Sequence, residues 1–344
     1  MATLKDIAGL ANVSITTVSR VLKNDHEISV TPETRKRIFD VANELGYKVK
    51  KRKEKEVPAQ AEEKVIRVGI AQMFEKERVL EDIYYLMLKS ALEEACFSKN
   101  IDTVTLFRNE DGEFVMHEDA KLDGIFGIGC FTTKEIESFK RYTKNLVFVD
   151  SSPDEETYFS IVPNVHLGMN QVIAEFSKKG HEKIGYVGSK LIYQKSKYLI
   201  LDSRLYYFRN ILNDRGRYQE EWVIDCEMNS KSSYEQLLLF LKNKDQSEWP
   251  SAFFVSSDVM IPGVMKALRE MKVRVPEDIS LVTYNDTKLS ELSDPPITSV
   301  HILIPEFAKA AVQFFMEQLE GSMYPKKLVI PCSLNCRASV KEIK

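Results

Sequence analysis

Residues 3–24 read TLKDIAGLANVSITTVSRVLKN, which places two capped helices and a tight turn within one short stretch. Thr3 is a good N-cap, and Asp6 three residues later completes an approximate capping box. Leu4, Ile7, Ala8 and Ala11 then recur at helical spacing as one apolar stripe. Asn12 follows, one of the few residue types that tolerates the left-handed conformation at a helix end, and Ser14 caps a second helix. In that helix Val18, Val21 and Leu22 point towards the first, which leaves Ile15, Thr16, Ser19 and Arg20 facing outward near its start. This is the layout of a helix-turn-helix whose second helix enters a DNA major groove. Taken alone, the pattern also fits any small pair of packed helices with Ser and Thr at their caps.

The neighbouring sequence favours DNA. Thr31 caps, Pro32 takes the first helical position, and Ile38, Phe39, Ala42 and Leu45 form the stripe of a third helix that stops at Gly46. An all-α headpiece over residues 1–47 is expected. Residues 1–55 hold twelve Lys plus Arg against seven Asp plus Glu, a net of +5, so the rest of the chain carries −8 of the total −3. Positive charge gathers where phosphates would lie. Residues 48–64, KVKKRKEKEVPAQAEEK, lack hydrophobic periodicity and begin with six Lys or Arg in eight residues, a basic linker suited to phosphate contact.

The run TLKDIAGLANVSITTVSRVLKN, followed by TPETRKRIFDVANELGY at 31–47, resembles the headpiece of the LacI/GalR family of bacterial repressors nearly residue for residue. The resemblance implies that Ile15, Thr16 and Arg20 read base edges, with Thr3, Ser14 and Ser19 beside them, while the basic charge of the linker adds Lys50 and Arg52 to the DNA contact. Asn12 replaces the Gly usual in the turn. Most relatives carry a hinge helix whose Leu wedges into the minor groove. Here no Leu lies between Leu45 and Val65, so that wedge is not expected.

With 344 residues and 44% hydrophobic content, two or three compact units are expected. No run of eighteen apolar residues and no apolar leader occurs, so neither a membrane span nor a signal peptide is expected, and the protein is placed in the cytoplasm. Five scattered cysteines suit free thiols in a reducing compartment. Cys332 and Cys336 lack partners at zinc spacing, so neither a metal nor another cofactor is expected.

From Val65 onward, short β-rich runs alternate with amphipathic segments: VIRVGIAQMF, YYLMLKSALEEACFSKN, IDTVTLF, DGIFGIG, TKEIESFKRYT and NLVFVDSS. A second series follows, with Met169–Lys178, SRLYYFRNILND and VMIPGVMKALREMK as helices and KIGYVGS, SAFFVSSD and ISLVTYND as strands. Apolar strands separated by helices indicate parallel sheets covered on both faces. The fold expected is therefore the all-α headpiece followed by an α/β core of two doubly wound parallel-sheet lobes. Ligands in such folds bind outside the carboxyl ends of the strands, where Asp150, Ser256, Ser257, Asp258, Asn285 and Asp286 stand. Asp and Asn after strands are also ordinary turn residues.

The core is similar to the periplasmic-binding-protein-like sugar-binding core of the same family, through FVD at 148–150, KKGHEKIGYVG at 178–188, SRLYYF at 203–208, FFVSSD at 253–258, VPEDISLVTYND at 275–286 and PPITSV at 295–300. The resemblance implies an effector-binding and dimerisation core over 65–344, with an N-lobe of about 65–163 and 297–323 and a C-lobe of about 164–296 and 324–344. It also implies that Asp150, Arg204, Ser257, Asp258 and Asn285 line the effector cleft. Their chemistry agrees, since carboxylates and amides pair with sugar hydroxyls and Arg offers a planar fork of donors. Asn285 stands where many relatives have Asp, Met228 where a relative has a sugar-stacking Trp, and Asn164 where Asp is usual at the lobe crossover.

No GxSxG elbow, no P-loop and no metal-spaced His pair occurs, and His181 in the GHEKIGYVG turn reads as structural, so an enzyme is not expected. A headpiece fused to a sugar-metabolising enzyme is the weaker reading. The stronger is a repressor that binds a palindromic operator as a homodimer and responds to a small sugar. YYLMLKSALEE, FVSSD and Asn285 look similar to galactose and β-galactoside repressors, so galactose or a galactoside leads. Ribose, a purine or a phosphoprotein corepressor is the alternative that the family resemblance leaves open.

Overall fold

A computed structural model describes residues 2–22, 28, 30–47, 65–74, 82–117, 120–193, 199–322 and 324–343. They form two units, Met1–Lys64 and Val65–Lys344. The linker 48–64, and with it Lys50 and Arg52, lies outside the described residues.

In the first unit, α1 (Leu4–Ala11) opens on the expected capping box: the Thr3 amide donates to Asp6 Oδ2 at 2.7 Å and the Asp6 amide to Thr3 Oγ1 at 3.4 Å. Asn12, at φ +52°, ends the helix in the left-handed region. After the turn comes α2 (Ile15–Leu22), then α3 (Pro32–Glu44), which Thr31 caps and which ends near Gly46 at φ +58°. The core of this unit is Ile7, Ala8, Ala11, Val18, Val21, Leu22, Ile38 and Ala42. Phe39, expected in that stripe, is exposed instead. Val41, Leu45 and Tyr47 pack against the core, partly buried.

The second unit holds two six-stranded sheets. The first is built from β1 (Ile66–Gln72), β2 (Ile101–Thr105), β5 (Gly124–Ile128), β6 (Leu146–Val149), β7 (Phe159–Pro163) and β15 (Lys327–Ile330), in the order β15-β7-β6-β5-β1-β2 and parallel throughout. A small hairpin, β3 (Phe107–Arg108) with β4 (Phe114–Val115), lies beside it. Among the described residues three helices belong to this lobe: α4 (Ile83–Phe97), α5 (Thr133–Phe139) and, much later in the chain, α11 (Ile304–Leu319). Gly124 lets α11 settle close to the sheet, for a Cβ there would stand 2.3 Å from the Phe315 ring.

The second sheet runs β11-β8-β12-β13-β14-β16, made of β8 (Ile184–Gly188), β11 (Val223–Asp225), β12 (Ala252–Val255), β13 (Ser280–Asn285), β14 (Thr298–His301) and β16 (Ser333–Asn335). Only β16 is antiparallel to its neighbour. With it go α6 (Val165–Lys178), α7 (Ser203–Asp214), α8 (Ser230–Lys242), α9 (Ile261–Glu270) and the short α10 (Lys288–Glu291), together with a two-stranded ribbon, β9 (Leu191–Tyr193) and β10 (Leu199–Leu201). Both β12 and β13 are buried along their whole length, as the continuous apolar runs of a doubly covered parallel sheet require.

The lobe boundaries differ from those expected. Residues 298–301 do not return to the first lobe but extend the second sheet, with Val282 opposite Thr298 and Tyr284 opposite Val300. Residues 327–330 join the first sheet beside β7. The chain therefore crosses between lobes three times: before α6, between β14 and α11, and between β15 and β16. A four-residue strand carries no mark of which sheet will accept it, so hydrophobic pattern alone cannot place either segment. Helix α6 also starts earlier than expected, because Asn164 caps it through Leu167 N at 2.9 Å.

Candidate functional site

On the headpiece, Ser14 Oγ accepts the Thr17 amide at 3.0 Å, which fixes the start of α2. Val18, Val21 and Leu22 anchor its inner face, so Ile15, Thr16 and Arg20 are exposed and Ser19 half-exposed. Ile15, 47% accessible, presents an apolar surface to solvent at the start of the helix, as contact with a thymine methyl requires. Thr3 is exposed at the start of α1, where its hydroxyl is engaged with Asp6 at 2.7 Å.

In the core, a cleft of about 1000 Å³ lies at the carboxyl ends of the strands of both lobes. Asp150 stands at its first-lobe wall, at the end of β6, with φ +66°. Its two carboxylate oxygens accept the hydroxyls of Tyr84 and Tyr85, each at 3.0 Å. Burial pushes the Asp150 carboxyl up to about 6, against the pull of both tyrosines and of Arg204. Asp82, also on the wall, is likewise raised to about 6 by burial.

The opposite wall carries Arg204, and its guanidinium is already engaged. Nε donates to Asp202 Oδ1 at 2.9 Å, Nη2 to Asp202 Oδ2 at 2.6 Å and Nη1 to the Ser256 carbonyl at 2.7 Å, while Nη2 also reaches Met228 Sδ at 3.2 Å. Asn285, at φ +92°, donates through Nδ2 to Ser257 Oγ at 3.3 Å, and both line the cleft. Tyr284 lines it as well, with a buried hydroxyl that has no hydrogen-bond partner among the described residues.

Of the five core residues singled out in the sequence, Asp150, Arg204, Ser257 and Asn285 meet at this cleft. Asp258 does not. It is 1% exposed, and its carboxylate turns away to accept the Thr287 amide, with Ser299 Oγ at 3.5 Å. Burial pushes this carboxyl up to about 7, and Thr287 holds it back. Asp258 thus ties the loop after β12 to the loop after β13. Its position after a strand end could not reveal which way the side chain would turn.

Sequence reasoning missed Asp82, Asp202, Tyr84, Tyr85 and Tyr284. A signal for the first two was present: each precedes an apolar helical run in N-cap position, and each caps its helix, with Tyr84 N 3.2 Å from Asp82 Oδ1 and Arg204 N 2.8 Å from Asp202 Oδ1. His181 proves structural, for its ring bridges Ser251 Oγ at 2.8 Å and the Lys341 carbonyl at 3.1 Å, fully buried. Among the described residues no group of acidic, His and Cys side chains could hold a metal, and no helix is long and apolar enough to cross a membrane.

A helix-turn-helix on one unit and a two-lobed α/β cleft on the other define a DNA-binding regulator with a small-molecule core. Residues 3–49 match the model for bacterial regulatory proteins of the lacI family, and residues 173–340 match that for a periplasmic binding protein-like domain. The HTH-type transcriptional regulator GalR of Streptococcus thermophilus is 30% identical over 341 residues, covering 99% of each chain. The HTH-type transcriptional repressor MelR of Bacillus subtilis (strain 168) is 29% identical over 356 residues, covering 100% of each. The fold is also that of a transcriptional regulator CelR–cellobiose complex, with TM-score 0.67 and 20% identity over 98% of this chain and 100% of that one. The lac repressor dimer bound to operator and the anti-inducer ONPF aligns with TM-score 0.65 and 21% identity over 99% of each chain. The chain belongs to the LacI family of transcriptional regulators.

Proposed function

We propose that this regulator is a homodimeric repressor of sugar genes whose affinity for a palindromic operator is set by a galactose or galactoside bound between its lobes. Asp150 from the first lobe and Arg204, Ser257 and Asn285 from the second contact the sugar, while Ile15, Thr16 and Arg20 read bases with Thr3, Ser14, Ser19, Lys50 and Arg52 beside them. The observation that carries the reading is the cleft itself, where Asp150 of the first lobe and Arg204, Asn285 and Tyr284 of the second line one cavity. A ligand that touches both lobes binds one lobe arrangement better than another, which is the condition for a switch. The cellobiose named for the CelR complex, a chain of the same fold, supports a saccharide as the class of effector. Lys50 and Arg52 rest on the sequence alone. Operator titration with and without galactose, lactose and melibiose tests the proposal; operator affinity unmoved by all three would reject a galactoside effector.

A further inference from the structure

Given that the cleft holds the effector, we infer that it takes an uncharged saccharide and rejects phosphorylated sugars, because each feature that would bind a phosphate is already occupied by the protein's own acceptors. Helix N-termini are ready-made anion sites, and those of three longer helices line this cleft. Asp82 caps α4, Asn164 caps α6 and Asp202 caps α7. Two of the three therefore hold an internal carboxylate where a phosphate would sit. Arg204, the natural phosphate fork, is bound to Asp202 through Nε and Nη2 at 2.6–3.2 Å.

The remaining described cations of the cleft wall are also matched. Lys140 Nζ lies 2.7 Å from Glu137 Oε1, and Lys327 Nζ lies 2.6 Å from Glu155 Oε1. Among the described residues Asp82 and Asp150 have only hydrogen-bond donors as direct partners. A dianion entering would meet two unmatched carboxylates and no unmatched cation among the described residues. A neutral polyol meets the opposite situation: carboxylates that accept its hydroxyls, and a tyrosine hydroxyl without a partner.

The test is a thermal-shift and calorimetric comparison of neutral sugars with their phosphates: galactose with galactose 1-phosphate and 6-phosphate, glucose and ribose with theirs, and inorganic phosphate alone. Every phosphorylated member is expected to bind roughly tenfold or more weakly than its parent, as repulsion between close charges in a protein cleft requires. In Asp82→Asn the amide keeps the N-cap acceptor and removes the charge, and the buried Arg204–Asp202 pair stays intact. Binding of the unphosphorylated sugar reports that the core of this variant folds, and the gap between sugar and phosphate should narrow. A phosphorylated sugar that binds the unaltered chain as tightly as its parent, or a folded variant that leaves the gap unchanged, would overturn the inference. If ribose or glucose binds and galactose does not, the galactoside reading falls while the charge selectivity stands.

Discussion

The Tyr85 hydroxyl donates to Asp150 Oδ2 at 3.0 Å, so the carboxylate that faces the second lobe is held by an aromatic side chain of α4. With its carboxyl at about 6, Asp150 is ionised at neutral pH and accepts sugar hydroxyls; sugar affinity should fall as the pH drops through 6. Stability has the opposite sign. A carboxyl raised above its unfolded value stabilises the folded chain fully below about 4, and that contribution is lost as the pH rises through about 6. Tyr85→Phe removes a donor to the charged form, so the pH midpoint of sugar binding should move upward. Calorimetry between pH 5 and 8 checks this, and an unmoved midpoint would show that Tyr85 does not tune the carboxyl.

Tyr284 gives a prediction that separates stability from binding. A buried hydroxyl without a partner costs free energy in the sugar-free chain. Tyr284→Phe should therefore leave the melting temperature unchanged or raise it, while sugar binding weakens by about 0.5–1.5 kcal/mol, the net worth of one hydrogen bond. Loss of melting temperature with unaltered sugar affinity would mean that the hydroxyl serves the fold and not the ligand.

Much of this architecture was legible because local rules agree with one another. The capping box of Thr3 and Asp6, the left-handed Asn12 and the Ser14 cap each follow from side-chain chemistry within four residues. Apolar runs such as AFFV at 252–255 announce a doubly covered sheet. The failures share one physical cause, which is that partners come from distant segments. The joining of β15 to β7, the turning of Asp258 towards Thr287, and the donation of Arg204 Nη1 to the Ser256 carbonyl all depend on tertiary neighbours. Four of the five expected cleft residues line the cavity, yet the tyrosines that position Asp150 came from a helix that the sequence marked only as amphipathic.

The tight seam between α8 and α9 gives a stability prediction. A Cβ on Gly263 would lie 1.9 Å from the Ser230 carbonyl oxygen, a backbone atom that cannot swing aside. Although Ala is the better helix former, Gly263→Ala should destabilise the core by roughly 1–3 kcal/mol through overpacking. Chemical denaturation of the full chain checks it. A stabilised variant would show that the two helices can separate at little cost.

On the headpiece, exposed Arg20 is the side chain proposed to reach guanine O6 and N7. Arg20→Ala should cost roughly 1–3 kcal/mol of operator affinity and relax selectivity at one position of each half-site. Binding measured across single-base operator variants decides the point. Uniform weakening on every sequence would reassign Arg20 to phosphate contact.

The last prediction concerns the coupling between sugar and DNA. Arg204→Ala is a poor probe of it, because removing the guanidinium leaves the Asp202 carboxylate buried beside its former partner, a change that typically costs about 3–5 kcal/mol. Asn285→Gly is cleaner, because glycine accepts the φ of +92° at that position. It removes a cleft-lining amide whose donated bond goes only to Ser257 Oγ, at 3.3 Å. The variant should lose the sugar response while keeping operator affinity in the absence of sugar. In the unaltered chain, a coupling of about 1–3 kcal/mol would change operator affinity roughly fivefold to a hundredfold, and operator DNA must then change sugar affinity by the same factor. Calorimetric titration of galactose with and without bound operator measures that factor directly. Equal sugar affinities in the two titrations would mean that galactose, even if it occupies the cleft, does not control DNA binding.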